Sequence, residues 1–230
     1  MQAEPLYQRI LSDLTGRIAR GELSPGQMLP SETVIGAEYG ASQGTARKAL
    51  SLLEARGILE RRQGRGTFVA VSTDESALFH FFRLRDAQGD LVTPILERQS
   101  VTRRAATTAE AALDAGEVYE IDRLRRIGGR LAAREIVTVA APRFPGLGER
   151  ETPANALYPF YQRAYGVAIL TASETLAPAV STAGQAGLDV AAGAPLLVIR
   201  RTAADVAGVV TELRNCTYAM DGLSYAVDLR

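Results

Sequence analysis

Glycine and proline cut the first 70 residues into pieces that fit three small helices and a hairpin. In PLYQRILSDLTGRIAR, residues 5–20, Leu6, Ile10, Leu14 and Ile18 recur every fourth position. That spacing is one apolar face of a helix, which Pro5 opens. Gly21, Pro25, Gly26 and Pro30 break it. Ser31 reads as the N-cap of a short second helix carrying Val34 and Ile35, and Gly40 ends that helix. Ser42 caps a third, running to about Arg56, with Ala46, Ala49, Leu50 and Leu53 on its buried side. Gly57 stops it from the C′ position. Ile58–Arg62 and Thr67–Val71 then read as strands around Gln63-Gly64-Arg65-Gly66. Helix, helix, helix, hairpin is the order of a winged helix-turn-helix.

The third helix carries the chemistry of this region. Its first turn, Ser42-Gln43-Gly44-Thr45, offers short polar side chains and free backbone N–H groups, which suit base edges and phosphates. Arg47 lies about one and a half turns in, where a guanidinium can reach guanine O6 and N7. Lys48 points to one side, toward a phosphate. Gly64 and Gly66 let the wing backbone approach a groove, with Arg65 between them to enter it. From Ser42 to Gly66 there are six basic residues and two acidic ones, so the local net charge is +4. The bland alternative is a solvated, arginine-rich helix and hairpin; cap, turn, basic helix and glycine-basic wing in that order argue against it.

The stretches LPSE at 29–32, AEYGAS at 37–42, TARKAL at 45–50 and LEARGILERRQGRGTFV at 53–69 resemble the GntR family of bacterial transcription regulators. The resemblance covers nearly all of residues 5–70. It implies that Ser42, Gln43, Gly44, Thr45, Arg47 and Gly64 contact double-stranded operator DNA. Two positions depart from the family's pattern: Thr33 and Gln43 stand where arginine is usual. Gln43 can still read adenine.

The whole chain is electrically neutral, with 26 basic and 26 acidic residues, so any nucleic-acid footprint is local. Cys216 is the single cysteine, which excludes an intrachain disulfide and suits a reduced, cytoplasmic setting. It has no partner for a metal site, and neither a metal nor a cofactor is expected. The first residues lack the pattern of a secretion signal, and no apolar run is long enough to span a bilayer.

Residues 1–70 form the expected DNA-binding domain, 71–77 a polar linker, and 78–230 a second domain. The second domain reads as α+β. Candidate strands are 78–85, 92–101, 118–127, 132–140, 169–176, 196–203, 209–218 and 223–229. DAQGD, IGGR and DVAG are hairpin-type turns. Helices are expected at 107–115, 157–165 and 182–188. Arg123 and Arg125 alternate along one strand, so they share a face, and Glu135 lies within cross-strand reach. Glu212 and Tyr218 share a face of a later strand. Taken alone, Arg123, Arg125 and Glu135 read first as a surface salt-bridge cluster of small energetic consequence. The second reading is a guanidinium fork for a phosphate or carboxylate. His80 reads as a core or interface residue. The aromatic stripe Tyr158, Phe160, Tyr161 and Tyr165 reads as core.

YEIDRLRRIGG at 119–129, AREIVTVAAPRFPGL at 133–147, ALYPFYQRAYGV at 156–167, AGAPLLVIRRTA at 192–203 and TELRNCTYAMDGLSYAVDL at 211–229 resemble the UTRA ligand-sensing domain of the HutC branch. That resemblance implies a chorismate-lyase-like antiparallel sheet with flanking helices. It also implies effector binding by Arg123, Arg125, Glu135, Glu212 and Tyr218, with the arginines on an anionic group and the glutamates on an amine or hydroxyl. Ala156 and Ala219 replace a serine and an arginine that are common in the family. The expected partner is a small anionic metabolite, such as a sugar phosphate, an organic acid or an amino acid. The expected assembly is a homodimer, since two-fold heads match palindromic half-sites. A ligand-responsive regulator, a repressor released by its effector, is the leading reading. An enzyme using the lyase-like fold and a scaffold without DNA binding are the alternatives.

Overall fold

The computed structural model describes residues 5–19, 21–55, 57–71, 83–149, 155–182 and 187–227. The chain divides into two compact units. One comprises Met1–Ser72, Tyr158–Thr171 and Ala204–Val209; the other comprises Thr73–Leu157, Ala172–Ala203 and Val210–Arg230.

In the first unit, helices α1 (Leu6–Ala19), α2 (Glu32–Glu38) and α3 (Gln43–Ala55) precede a hairpin of β1 (Leu59–Arg62) and β2 (Gly66–Val69). Ile10, Leu14 and Ile18 meet Ile35, Ala46, Ala49, Leu50 and Leu53 in one buried cluster. Leu6, at the start of the apolar series, stays 38% exposed. Ser31 caps α2 as expected, its hydroxyl accepting from Val34 N at 3.4 Å. The backbone N–H of Ile58 donates to the Leu53 carbonyl at 2.9 Å, and Gly57 sits at φ +70°. That is the helix stop for which a left-handed glycine is needed. Gly36 is required for a different reason. A Cβ there would lie 2.9 Å from the Ala41 carbonyl oxygen, inside the turn that joins α2 to α3. A further helix, α4 (Leu157–Tyr165), buries Tyr158 and Tyr161, with ring centroids 6.1 Å apart.

A six-stranded antiparallel sheet in the order β4-β5-β6-β9-β8-β7 makes up most of the second unit. Its strands are β4 (Ile95–Ala105), β5 (Glu117–Ile127), β6 (Arg130–Ala140), β7 (Ile169–Val180), β8 (Pro195–Asp205) and β9 (Val210–Ala219). A two-residue ladder joins β3 (Leu84–Arg85) to β10 (Ser224–Tyr225). The fold is the α+β arrangement read from the sequence. Gly128 and Gly129 both take positive φ in the β5–β6 turn, the geometry that matches strand twist.

Several element boundaries differ from the sequence reading. DAQGD does turn, closing a bridge between Arg85 and Leu91, but β3 pairs with β10 and not with the next strand. β4 begins at Ile95, after Pro94, and runs on to Ala105 with a bulge between Leu96 and Arg98. The expected helix at 107–115 is a 3₁₀ turn, Thr108–Leu113, ended by Asp114 at φ +47°. Arg104 holds it by donating to Glu110 at 2.9 Å, and Glu110 also accepts from Thr107 N at 2.8 Å. Those bonds tighten the segment into one capped turn. The strand expected at 223–229 is present only as the two residues Ser224–Tyr225. The expected helix at 182–188, the strand at 78–85 and the linker fall largely outside the described residues, as do Arg56 and His80.

Because the space at Gly36 is filled by backbone, Gly36→Val destabilises the protein by about 1–3 kcal/mol. The same change at Gly44, where only the Ser42 hydroxyl comes within 4 Å, has a smaller effect. Urea unfolding of both variants checks this.

Candidate functional site

The first candidate surface is built on α3. Ser42 caps it, its hydroxyl accepting from Thr45 N at 3.2 Å and bonding to the Thr45 hydroxyl at 2.9 Å. Gln43, Gly44 and Arg47 are exposed on the same helix, and Thr45 is half-buried. Gly64, Arg65 and Gly66 are exposed at the hairpin tip, where Arg65 N donates to the Arg62 carbonyl at 2.9 Å. Lys48 departs from this group. Its ammonium lies 4.0 Å from the centre of the Tyr7 ring on α1, a cation–π contact that ties α3 to α1.

The basic field of this surface is not the bare +4 of the sequence span. Glu32, from the first turn of α2, folds onto it. Its carboxylate accepts from Arg47 Nε at 2.9 Å, from Arg61 Nη2 at 3.2 Å and from Gln43 Nε2 at 3.4 Å. Arg61 also meets Ser51 and Glu54, each at 3.2 Å, so it ties the hairpin to α3. Arg62 pairs with Glu60 and stacks over Phe68. The sequence reading missed Glu32 because it lies eleven residues before the start of the helix it meets.

The second candidate site lies in the sheet. The register aligns Gln99, Arg123, Glu135 and Cys216 on one rung across β4, β5, β6 and β9. The next rung aligns Leu96, Arg125, Ala133 and Tyr218. Side chains two apart on a strand share a face. Arg123, Arg125, Glu135, Glu212 and Tyr218 are therefore on one face: the sequence paired Arg123 with Arg125 and Glu212 with Tyr218, and the strand register joins the two pairs. The surface-cluster reading is overturned: Arg123, Arg125 and Glu135 are all fully buried.

Glu135 Oε2 is 3.3 Å from Arg123 Nη1, 3.1 Å from Arg125 Nε and 3.9 Å from Arg214 Nη1. Among the described residues its other oxygen, Oε1, accepts no hydrogen bond. Burial pushes this carboxyl up, but Arg125, Arg214, Arg123 and Arg201 outweigh that and hold it at about 2. Asn155 closes one side. Its carbonyl accepts from Arg123 Nη2 at 3.2 Å and from Arg125, and its Oδ1 accepts from Arg125 Nη1 at 3.0 Å. Glu212 does not face Glu135 directly. It is held by Arg214, through Nε at 2.8 Å and Nη2 at 2.9 Å. Tyr218 is buried and its hydroxyl is pushed well above 10, first by burial and then by Cys216 and Glu135. Beyond these, Arg201 pairs with Glu174 at 2.5 Å, and the Tyr225 hydroxyl donates to the same carboxylate.

Arg214 was legible, since it alternates with Glu212 and Tyr218 on β9. Arg201, Glu174 and Asn155 were not, because their placement depends on strand pairing and a loop. Four arginines against Glu135, Glu174 and Glu212 leave the cluster one positive charge in excess. Such a site suits an anion, and Glu135 Oε1 suits a hydrogen-bond donor beside it.

A winged-helix head with exposed basic residues on its third helix, and a sheet with a buried charged cluster, are the parts of a DNA-binding regulator with a sensing domain. Comparison with known proteins agrees. Residues 6–69 match the bacterial regulatory proteins of the gntR family, and residues 74–223 match the UTRA domain. The transcriptional regulator SmoD of Agrobacterium fabrum is 37% identical over 132 residues, 57% of this chain and 56% of that protein. The transcriptional repressor NagR of Bacillus subtilis is 29% identical over 230 residues, 96% of this chain and 93% of that protein. The crystal structure of PhnF from Mycobacterium smegmatis superposes with a TM-score of 0.54 at 25% identity, covering 96% of this chain and 99% of that one. The chain belongs to the GntR family and carries a UTRA domain. It is a ligand-responsive, DNA-binding transcription regulator.

The Glu135 carboxyl predicts an acid limit. Its folded value of about 2 lies below the ordinary 4.5. Its stabilising contribution is therefore full above about pH 4.5 and is lost as pH falls toward 2. In a pH series of unfolding midpoints, Glu135→Gln loses part of that acid dependence. At neutral pH the variant is less stable by about 3 kcal/mol, because it leaves buried arginines uncompensated.

Proposed function

We propose that this protein is a cytoplasmic repressor that acts as a homodimer and is released from its operator by a small anionic metabolite. The head binds DNA through Ser42, Gln43, Gly44, Thr45, Arg47 and the wing residues Gly64, Arg65 and Gly66. Lys48, exposed on the same helix with its ammonium over the Tyr7 ring, would add a phosphate contact from the side. The relatives named as repressors, NagR among them, support the sign of regulation.

The observation that carries the effector reading is the fully buried Glu135, one of whose oxygens accepts no hydrogen bond among the described residues while arginines surround the carboxylate. Arg123 and Arg125 would hold the anionic group. Glu135 would accept from an amine or hydroxyl on the same metabolite, and Tyr218 and Glu212 would complete the wall. A sugar phosphate, a hydroxy acid or an amino acid all carry that pair of groups. Sensing needs only unequal affinity for two states of the protein, so no catalytic step is assigned.

The test begins with binding to duplex DNA over a salt series, using the upstream region of its own gene and unrelated DNA. Wild type binds its site selectively with a steep salt dependence, and Arg47→Ala loses about 10- to 100-fold on that site. Equal, weak binding of both proteins to both DNAs would overturn the reading. For the effector, sugar phosphates, organic acids and amino acids are screened by thermal shift. A true effector at 100 times its Kd stabilises the wild type by about 2.7 kcal/mol and releases DNA. Arg125→Gln keeps DNA binding and loses both responses.

A further inference from the structure

Glu32 is a carboxylate in the middle of the surface assigned to DNA. Phosphate would be repelled by it, and removing it should on electrostatic grounds strengthen binding to any DNA. Its contacts point to a different role. Its side chain is 19% exposed and lies at the start of α2, where the helix dipole favours a negative charge. It takes Arg47 by Nε, at 2.9 Å. A guanidinium held by Nε is fixed in its plane and keeps both terminal nitrogens for guanine O6 and N7. It takes Gln43 by one amide hydrogen, at 3.4 Å. The other amide hydrogen and the carbonyl oxygen remain, the pair that reads adenine. Through Arg61, at 3.2 Å, the same carboxylate also anchors the wing.

We propose that Glu32 is a positioning residue for base readout: it orients Arg47 and Gln43 together, at the expense of non-specific affinity. One carboxylate thereby couples two base-reading side chains one turn apart. This inference rests on the proposed role of α3 as the reading helix.

The experiment uses the full chain and a duplex selected by the wild-type protein from a random-sequence library. Affinity for the selected duplex and for unrelated duplex is measured for wild type, Glu32→Gln, Arg47→Ala and the double variant. Glu32→Gln is expected to weaken the selected duplex by about 10-fold or more, the range of one lost oriented base contact. It is expected to leave unrelated duplex unchanged or bound more tightly. In the Arg47→Ala background the Glu32→Gln effect shrinks, because the residue to be oriented is gone. A library reselected with Glu32→Gln yields degenerate sequence at the positions read by Gln43 and Arg47.

Equal tightening on both duplexes would overturn the proposal, leaving Glu32 a repulsive surface acid. Equal weakening on both, with a lowered melting temperature, would overturn it in favour of a purely structural role. If Arg47→Ala itself changes nothing, the assignment of the reading helix fails first, and that outcome is distinct from the other two.

Discussion

The second unit is organised around one costly interaction. Glu135, Arg123 and Arg125 are charged, fully buried and neighbours in the middle of a sheet. Desolvating such groups costs several kcal/mol per ion, and an apolar trio of similar volume would often be more stable. The arrangement persists because each charge is held by several partners. Asn155, Pro94 and Glu135 share the two guanidinium groups, and Arg214 links Glu135 to Glu212. The sheet supplies the precision. Three antiparallel ladders fix which side chains lie opposite, and a slip of one residue would send the set to the other face.

The same reasoning gives the site its chemistry. Low dielectric strengthens each charge interaction, so a small excess of positive charge has a large effect on an incoming anion. Cys216 and Tyr218 are kept neutral there: burial, and for both the nearby Glu135 charge, pushes each upward, the thiol to about 12. Under the proposed function, the cluster recognises an anion that also carries a donor. Arginines alone would accept many anions, and the Glu135 oxygen that accepts no hydrogen bond among the described residues would narrow the set.

The head solves the opposite problem, with charge on the surface and facing water. Its electrostatics are local, since the chain as a whole is neutral. Acids within the head shape that field: Glu32, Glu54 and Glu60 each pair with an arginine. Arginine is the suitable partner, because its fixed fork can give one N–H to a carboxylate and keep others free. Lysine lacks that geometry, and the single lysine of the chain is turned onto an aromatic ring.

The head was almost wholly legible, because its signals are local. Caps at Ser31 and Ser42, the Gly57 stop and the four-residue apolar spacing are each set by neighbours within a turn or two. The antiparallel α+β class and the alternation of Arg123 with Arg125 were equally plain, and so was their pairing with Glu135 across a two-glycine turn. What the sequence could not supply was depth and register. It offered no way to tell a surface salt bridge from a buried one, since period-two alternation assigns a face and not its cover. Nor could it bring Glu32 to Arg47, or Arg201 and Asn155 toward Arg125. The residues and their faces follow from local backbone geometry; which charges share one low-dielectric space is decided only when distant strands and loops close over them.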